Sequence, residues 1–337
     1  MKRSKWLAAA AAAGLLFTSV PAQTTIVHAE AVELKQVDQE TKAALDKALS
    51  DVSGGRKGQI ADVVRTDISS TDKRLDVSGT LLGDIKGRFD QTYDTLKKRV
   101  SQTTIIYNAK DRSRVLSPEL DARITTFLKS FDPHGKFQPD ALWRVHSPYQ
   151  LNEPRNYWVF FGNDQNLYVD LDKNNHLTAS MAYSLKSMPP AMINKYARVL
   201  KTLGWGGNPV QYATKVQEGS SRLVWQLNDR SDLQRVEFGV NTSKVWLAEN
   251  DLLKDWKDDD DFAKSFAKPK YSAAQAIKAA KPAVSSLFGV NLTGYSVKVK
   301  ANEYTFTKKG KPTVTGKINK QGKFYSLAAA PVSGMVQ

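Results

Sequence analysis

Three segments of this 337-residue chain carry apolar residues at one shared set of offsets, 0, 4, 7, 8 and 11. They are Leu120, Ile124, Phe127, Leu128 and Phe131; Met192, Tyr196, Val199, Leu200 and Leu203; and Ala276, Ala280, Ala283, Val284 and Leu287. Such spacing lines up one continuous stripe on a helix, so each segment is predicted to lay one face on a core. Helix-start chemistry precedes each stripe. Ser117 caps before Pro118, Ser187 stands before Pro189 and Pro190, and Ser272 with Gln275 makes a capping box. A glycine follows each one, at 135, 204 and 289. Pro282 falls inside the third helix and is expected to kink or shorten it.

Strand-like runs follow every stripe. In the first unit they are 142–145, 157–161, 167–171 and 177–183; in the second, 211–216, 223–227, 234–240 and 244–248. The turn strings Asp172-Lys-Asn-Asn175 and Asn241-Thr-Ser-Lys244 occupy the place that Asn319-Lys-Gln-Gly322 holds in the third. We therefore read a repeating helix-then-meander plan: modules at 117–186, 187–250 and 271–337, with 251–270 as an acidic and Lys-rich linker. Residues 30–116 are predicted to open with an amphipathic helix over 30–55, its stripe at Leu34, Val37, Leu45, Ala48 and Val52, before a strand region of less definite pattern.

The third unit alternates through Tyr295-Ser-Val-Lys-Val-Lys300 and Glu303-Tyr-Thr-Phe-Thr307, and closes through Pro312 to Leu327 with a Lys-Gln-Gly-Lys hairpin turn. One helix and an antiparallel meander in this order resemble the PepSY domain. That module occurs in propeptides of thermolysin-like proteases and in bacterial envelope proteins. The resemblance covers residues 271–327, about a sixth of the chain. It implies an α+β fold of tandem helix-plus-antiparallel-sheet (PepSY/cystatin-like) modules. It also implies a role in binding or restraining a protein partner, such as an extracellular protease, in trans.

Residues 1–29 read as a secretory signal: Lys2, Arg3 and Lys5, an apolar run from Trp6 to Phe17, and Val27-His28-Ala29 before a cut at Glu30. The run is short for a membrane span, and no cysteine follows it to carry a lipid. The expectation is a secreted or cell-surface protein without disulfides, as is common on Gram-positive surfaces.

Catalytic and metal motifs are thin. Asp170-Leu-Asp-Lys-Asn-Asn-His176 imitates the start of a calcium loop, but Asn175 stands where that loop needs Gly and Met181 where it needs a bidentate Glu, so a turn is the better reading. The run Asp258–Asp261 reads as solvated linker. His134, His146 and His176 are scattered without zinc spacing, and no nucleophile elbow occurs. No enzyme activity, cofactor or metal is expected. Trp143, Trp158, Trp205, Trp225 and Trp246 lie on or beside strands. Core packing explains them better than sugar stacking.

Charge is the strongest functional signal. The formal net charge is +15. From Tyr271 onward there are ten Lys, no Arg and one acid, Glu303. Lys298, Lys300 and Lys317 should share the outer face of the last sheet, with Lys308, Lys309, Lys311, Lys320 and Lys323 in its turns. These eight are the candidate partner or polyanion contacts. Lys without Arg lacks the fork for shaped phosphate recognition, and nucleic acid is not expected because aromatic–Arg interleaving is missing. Two functions stay open: a non-enzymatic envelope protein that binds or regulates a protein in trans, or a cell-wall scaffold held by an anionic polymer.

Overall fold

The computed structural model describes residues 28–150, 155–206 and 208–337. Residues 1–27 of the expected signal lie outside them, and the expected cut at Glu30 falls inside the first strand, β1 (His28–Ala31). The chain divides into two compact units, Met1–Gly83 with Arg88–Thr103, and Asp84–Gly87 with Thr104–Gln337.

In the first unit, β1 pairs with β2 (Gly58–Ser69), β2 with β3 (Asp72–Leu81), and β3 with β4 (Gly87–Asp94), all antiparallel. Helix α1 is shorter than the stripe predicted, Gln39–Ser53, because Asp38 accepts from Thr41 N at 2.8 Å and so sets its start. Gly54 ends it at φ 73°, a left-handed cap that favours glycine. Leu45, Leu49 and Val52 of α1 are buried, as are Val63, Leu75, Val77, Phe89 and Tyr93 of the strands. Gln91 ties helix to sheet by donating to Leu45 O at 3.0 Å. Gly58 and Gly79 make room for the Phe89 ring: a Cβ on either would come within 2.5 Å of it.

The second unit holds α2 (Pro118–Phe131) with β6 (Ala141–His146), β7 (Asn156–Gly162), β8 (Gln165–Asp170) and β9 (His176–Tyr183). Next come α3 (Pro190–Thr202), β10 (Tyr212–Glu218), β11 (Arg222–Asn228), β12 (Gln234–Gly239) and β13 (Val245–Asn250). The short α4 (Asp259–Ser265) precedes α5 (Ala273–Phe288), β14 (Ser296–Lys300), β15 (Glu303–Thr307), β16 (Thr313–Ile318) and β17 (Phe324–Ala330). The remaining strand, β5 (Arg99–Asn108), precedes α2 in the chain. Predicted strands agree with these within one or two residues, and the stripe positions Ile124, Phe131, Tyr196, Val199, Leu200, Ala276, Ala280 and Val284 are all buried. Helix α5 runs through Pro282, which lies on its exposed side, where the carbonyl left without an N–H partner can take water.

The tandem-module architecture is overturned. The strands of the second unit run unbroken in the order β6-β7-β8-β9-β10-β11-β12-β13-β17-β16-β15-β14, one antiparallel sheet rather than separate sheets. Tyr183 of β9 pairs with Ala213 of β10, and Leu247, Ala248 and Glu249 of β13 pair with Ala328, Leu327 and Ser326 of β17. Edge strands of isolated four-stranded sheets would leave rows of N–H and C=O groups unpaired, and joining the edges satisfies them. Side chains cross the same boundaries. Lys215 of β10 donates to Phe131 O at 2.6 Å, capping the C-terminus of α2, and its ammonium stands over the Phe131 ring. Burial pushes that Lys215 down in pKa. Trp205 Nε1, just past α3, donates to Phe324 O of β17 at 3.2 Å.

The expected linker is folded as well. Trp256 packs on Phe262, Phe266 and Tyr325 with ring centroids 5.1, 5.9 and 5.8 Å away. Asn319 donates to Leu253 O at 2.9 Å and Lys320 N to Asp255 at 2.7 Å. The run Asp258–Asp261 is the start of α4 rather than a solvated tether. Asp258 accepts from Asp261 N at 2.8 Å, and the acids that follow sit where the helix dipole favours negative charge.

Candidate polyanion-binding face

Strands β14, β15 and β16 alternate in burial. Tyr304, Phe306, Val314 and Ile318 are buried against Ala276, Ala280 and Val284 of α5. Their neighbours in sequence therefore face the other way, because side chains alternate across a strand. Lys298 and Lys300 on β14 are exposed, while Val297 and Val299, which alternate with them, pack on the core. Register then arranges this open face in rows. Lys298, Thr305 and Thr315 stand abreast, as do Lys300, Glu303 and Lys317. Lys298 and Lys300 lie about 7 Å apart along the strand, and Lys300 and Lys317 about 10 Å apart across two strand spacings.

The eight candidate lysines fall into different settings. Lys298, Lys300 and Lys317 form the face. Lys308, Lys309 and Lys311 cluster in the turn between β15 and β16, all exposed. Lys320 and Lys323 sit at the opposite end, in the turn between β16 and β17, shaped by Asn319 accepting from Lys323 N at 2.9 Å. There the acidic stretch intervenes. Lys320 Nζ reaches Asp261 at 2.9 Å, which with Lys257 N holds the Asp261 carboxyl below its usual range. Among the described residues, Lys320 is the one candidate with an acidic partner, and no carboxylate lies within ion-pair distance of the others.

Upstream strands treat charge differently. On the same side of the sheet, Glu237 of β12 is 3 % exposed and is gripped by Arg222, with Gln226 donating to it at 2.9 Å. Arg235 reaches Glu249 of β13 at 2.8 Å. Arginine forks close these acids into a brace across β11–β13. The row then passes from Glu249 through Ser326 to Lys317, whose cross-strand neighbours are Ser326 and the acid Glu303. The candidate lysines without an acidic partner lie on β14–β16 and in the turns at 308–311 and 319–323.

One basic residue outside the candidate set belongs with them. Lys281, on the exposed side of α5, donates from Nζ to Thr293 Oγ1 at 3.4 Å, and Lys308 donates to Thr293 O at 3.0 Å. Nothing in the local pattern of α5 signals this. The contact depends on how the loop at 289–295 folds back.

The other constellations resolve as packing. Asp170 is buried, and its Oδ1 accepts from Asp172 N at 3.1 Å and Lys173 N at 3.2 Å, a turn held by its own backbone. No group of three His, Asp or Glu side chains placed to hold a metal occurs among the described residues. His176 stands 3.6 Å from Glu218. Trp158 and Trp205 are buried; Trp143, Trp225 and Trp246 are half-buried, with Trp143 against Phe161 and Trp225 against Tyr183. No helix among the described residues is long and apolar enough to cross a membrane. No protein-family model, curated protein or solved structure matches the chain.

Proposed function

We propose that this chain is a non-enzymatic binding protein whose C-terminal basic face holds a phosphate-bearing polyanion, and that it works at the cell surface. One observation carries the reading. Lysines at 298, 300, 308, 309, 311 and 317 lie on one meander, on or beside a face that α5 leaves open, with no carboxylate at ion-pair distance among the described residues. The upstream acids on that side are already held by Arg222 and Arg235. Lysine ammoniums on flexible stems offer summed field rather than shaped recognition, which suits a repeating polymer better than a single small ligand. The cell-surface placement rests on the charged and apolar pattern of the N-terminal residues. A protease partner acting in trans rests on the PepSY resemblance alone, and the face described here gives it no added support.

The test is retention on immobilised polyphosphate at ~50 and ~300 mM salt, since exposed charges are screened over about 8–10 Å. Binding should fall by at least about tenfold across that range and be lost in a variant with those six lysines changed to Gln. Changing Lys320 and Lys323 to Gln should matter little. Binding that ignores salt, or that depends equally on both sets, overturns the proposal.

A further inference from the structure

We infer that Lys281 and Lys308 form a two-ammonium subsite for one phosphate group, centred on Thr293 and Gly294. The inference deepens the polyanion reading and rests on it. Two lysines far apart in sequence, one on α5 and one in the turn after β15, both reach the same loop residue. Neither has a carboxylate within ion-pair distance among the described residues. Both ammoniums are anchored to one residue with no acid beside them, and an anion that meets both offsets their mutual repulsion.

The platform beneath them is ordered. Asn291 Oδ1 accepts from Thr293 N at 3.0 Å and from Thr293 Oγ1 at 2.8 Å, an Asx-type turn that aims the Thr293 carbonyl at Lys308. Tyr295, next to it, donates its hydroxyl to Pro312 O at 3.1 Å and so binds the loop to the turn that carries Lys308, Lys309 and Lys311. Gly294 has φ 73°, and a Cβ there would stand 3.2 Å from Lys308 Nζ. The glycine keeps that approach open. A tetrahedral phosphate offers several acceptor oxygens, so one group can take a proton donor from each ammonium, which now spend them on Thr293. Lys309 and Lys311 lie beside the pair to meet the next charge of a polymer.

The full chain is titrated with linear polyphosphate, and separately with phosphatidylglycerol vesicles, by calorimetry at low salt. K281Q and K308Q should each weaken binding about two- to fivefold, and the double variant about tenfold or more. K278Q, an exposed lysine on the same helix with no such contact, should stay within about twofold of the parent. Unchanged circular dichroism and melting temperature show that the variants are folded. Dependence on the pair with polyphosphate alone assigns a polymer as the source of the phosphate; the same dependence with vesicles assigns a headgroup. If K278Q weakens binding as much as K281Q, the subsite is wrong and only a diffuse field remains. If the parent chain binds neither probe, the polyanion reading falls with it.

Discussion

Gly239 touches the backbone of Gln337 so closely that a Cβ on the glycine would run into the Gln337 carbonyl. The segment 331–337 lies along the start of β11, where Leu223 N donates to Val336 O and Val336 N to Ser221 O, each at 2.7 Å, and Thr242 Oγ1 donates to Gln337 O. Arg222 and Val336 form a parallel bridge. Gly239→Ala should therefore push this segment away and leave Leu223 N without its partner, at a cost of about 1–3 kcal/mol. Hydrogen exchange reads it directly. Leu223 and Val336 amides should lose protection while those of β6–β8 keep theirs, and uniform loss would contradict a local latch.

Asp229 is fully buried where β11 turns toward β12. Burial works to raise its pKa, but hydrogen bonds from Ser231, Asn208 and the Gln234 and Leu233 amides outweigh it, and the carboxyl is held below its ordinary range. A depressed folded pKa means stability that is present in full above about pH 4 and lost as pH falls through the folded value. Asp229→Ala should cost about 2–3 kcal/mol at pH 7 through the hydrogen bonds lost to a charged acceptor. Asp229→Asn should flatten the fall in urea midpoint below about pH 4 relative to the parent. An equally steep acid limb in the Asn variant would show that other carboxylates govern it.

The helix faces were legible because burying a stripe requires apolar residues at helical spacing, and Ile124, Val199 and Ala280 obey that rule. The last meander was legible for the same reason at period two, through Tyr304 and Phe306. The joining of β9 to β10 and of β13 to β17 was not. It is made by backbone N–H and C=O groups that every residue carries, so Tyr183 and Ala213 leave no mark of their pairing in side-chain pattern. The stretch 251–270 misled for another reason. Four consecutive aspartates look like solvent, yet Asp258 caps α4, and that lets Phe262 and Phe266 meet Trp256. Lys281 escaped notice because its partner, Thr293, is defined only once the loop after Gly289 has turned.

Trp256 tests the point about that stretch. It is half-buried, and its ring meets Phe262, Phe266 and Tyr325 edge-on, so it fastens 251–270 to β17. Trp256→Ala should cost about 2–4 kcal/mol, the range for removing a large aromatic from a packed site, reduced for partial exposure. Proteolysis should then cut near Lys257 or Lys264 in the folded protein. A melting temperature and cleavage pattern equal to the parent's would show that the segment is a tether after all.

Strand β14 pairs with β15 on one side, and among the described residues no pairing is made along its other edge, where Lys298 and Lys300 stand out from the half-buried Val297 and Val299. An open edge invites another strand, and a second copy of β14 is the simplest one available. In a symmetric antiparallel pair of β14 strands, ammoniums from the two copies would oppose each other directly, which is destabilising. Replacing both lysines by Val (K298V with K300V) removes that repulsion and makes positions 297–300 an unbroken run of valine. The double variant should self-associate at concentrations where the parent stays in a single state, as read by light scattering after size exclusion. Changing both to Glu should not, since like charges would still face each other. Should the double-valine variant keep the parent's mass at every concentration, the lysines have no part in guarding the edge, and their exposure is left to polyanion contact alone.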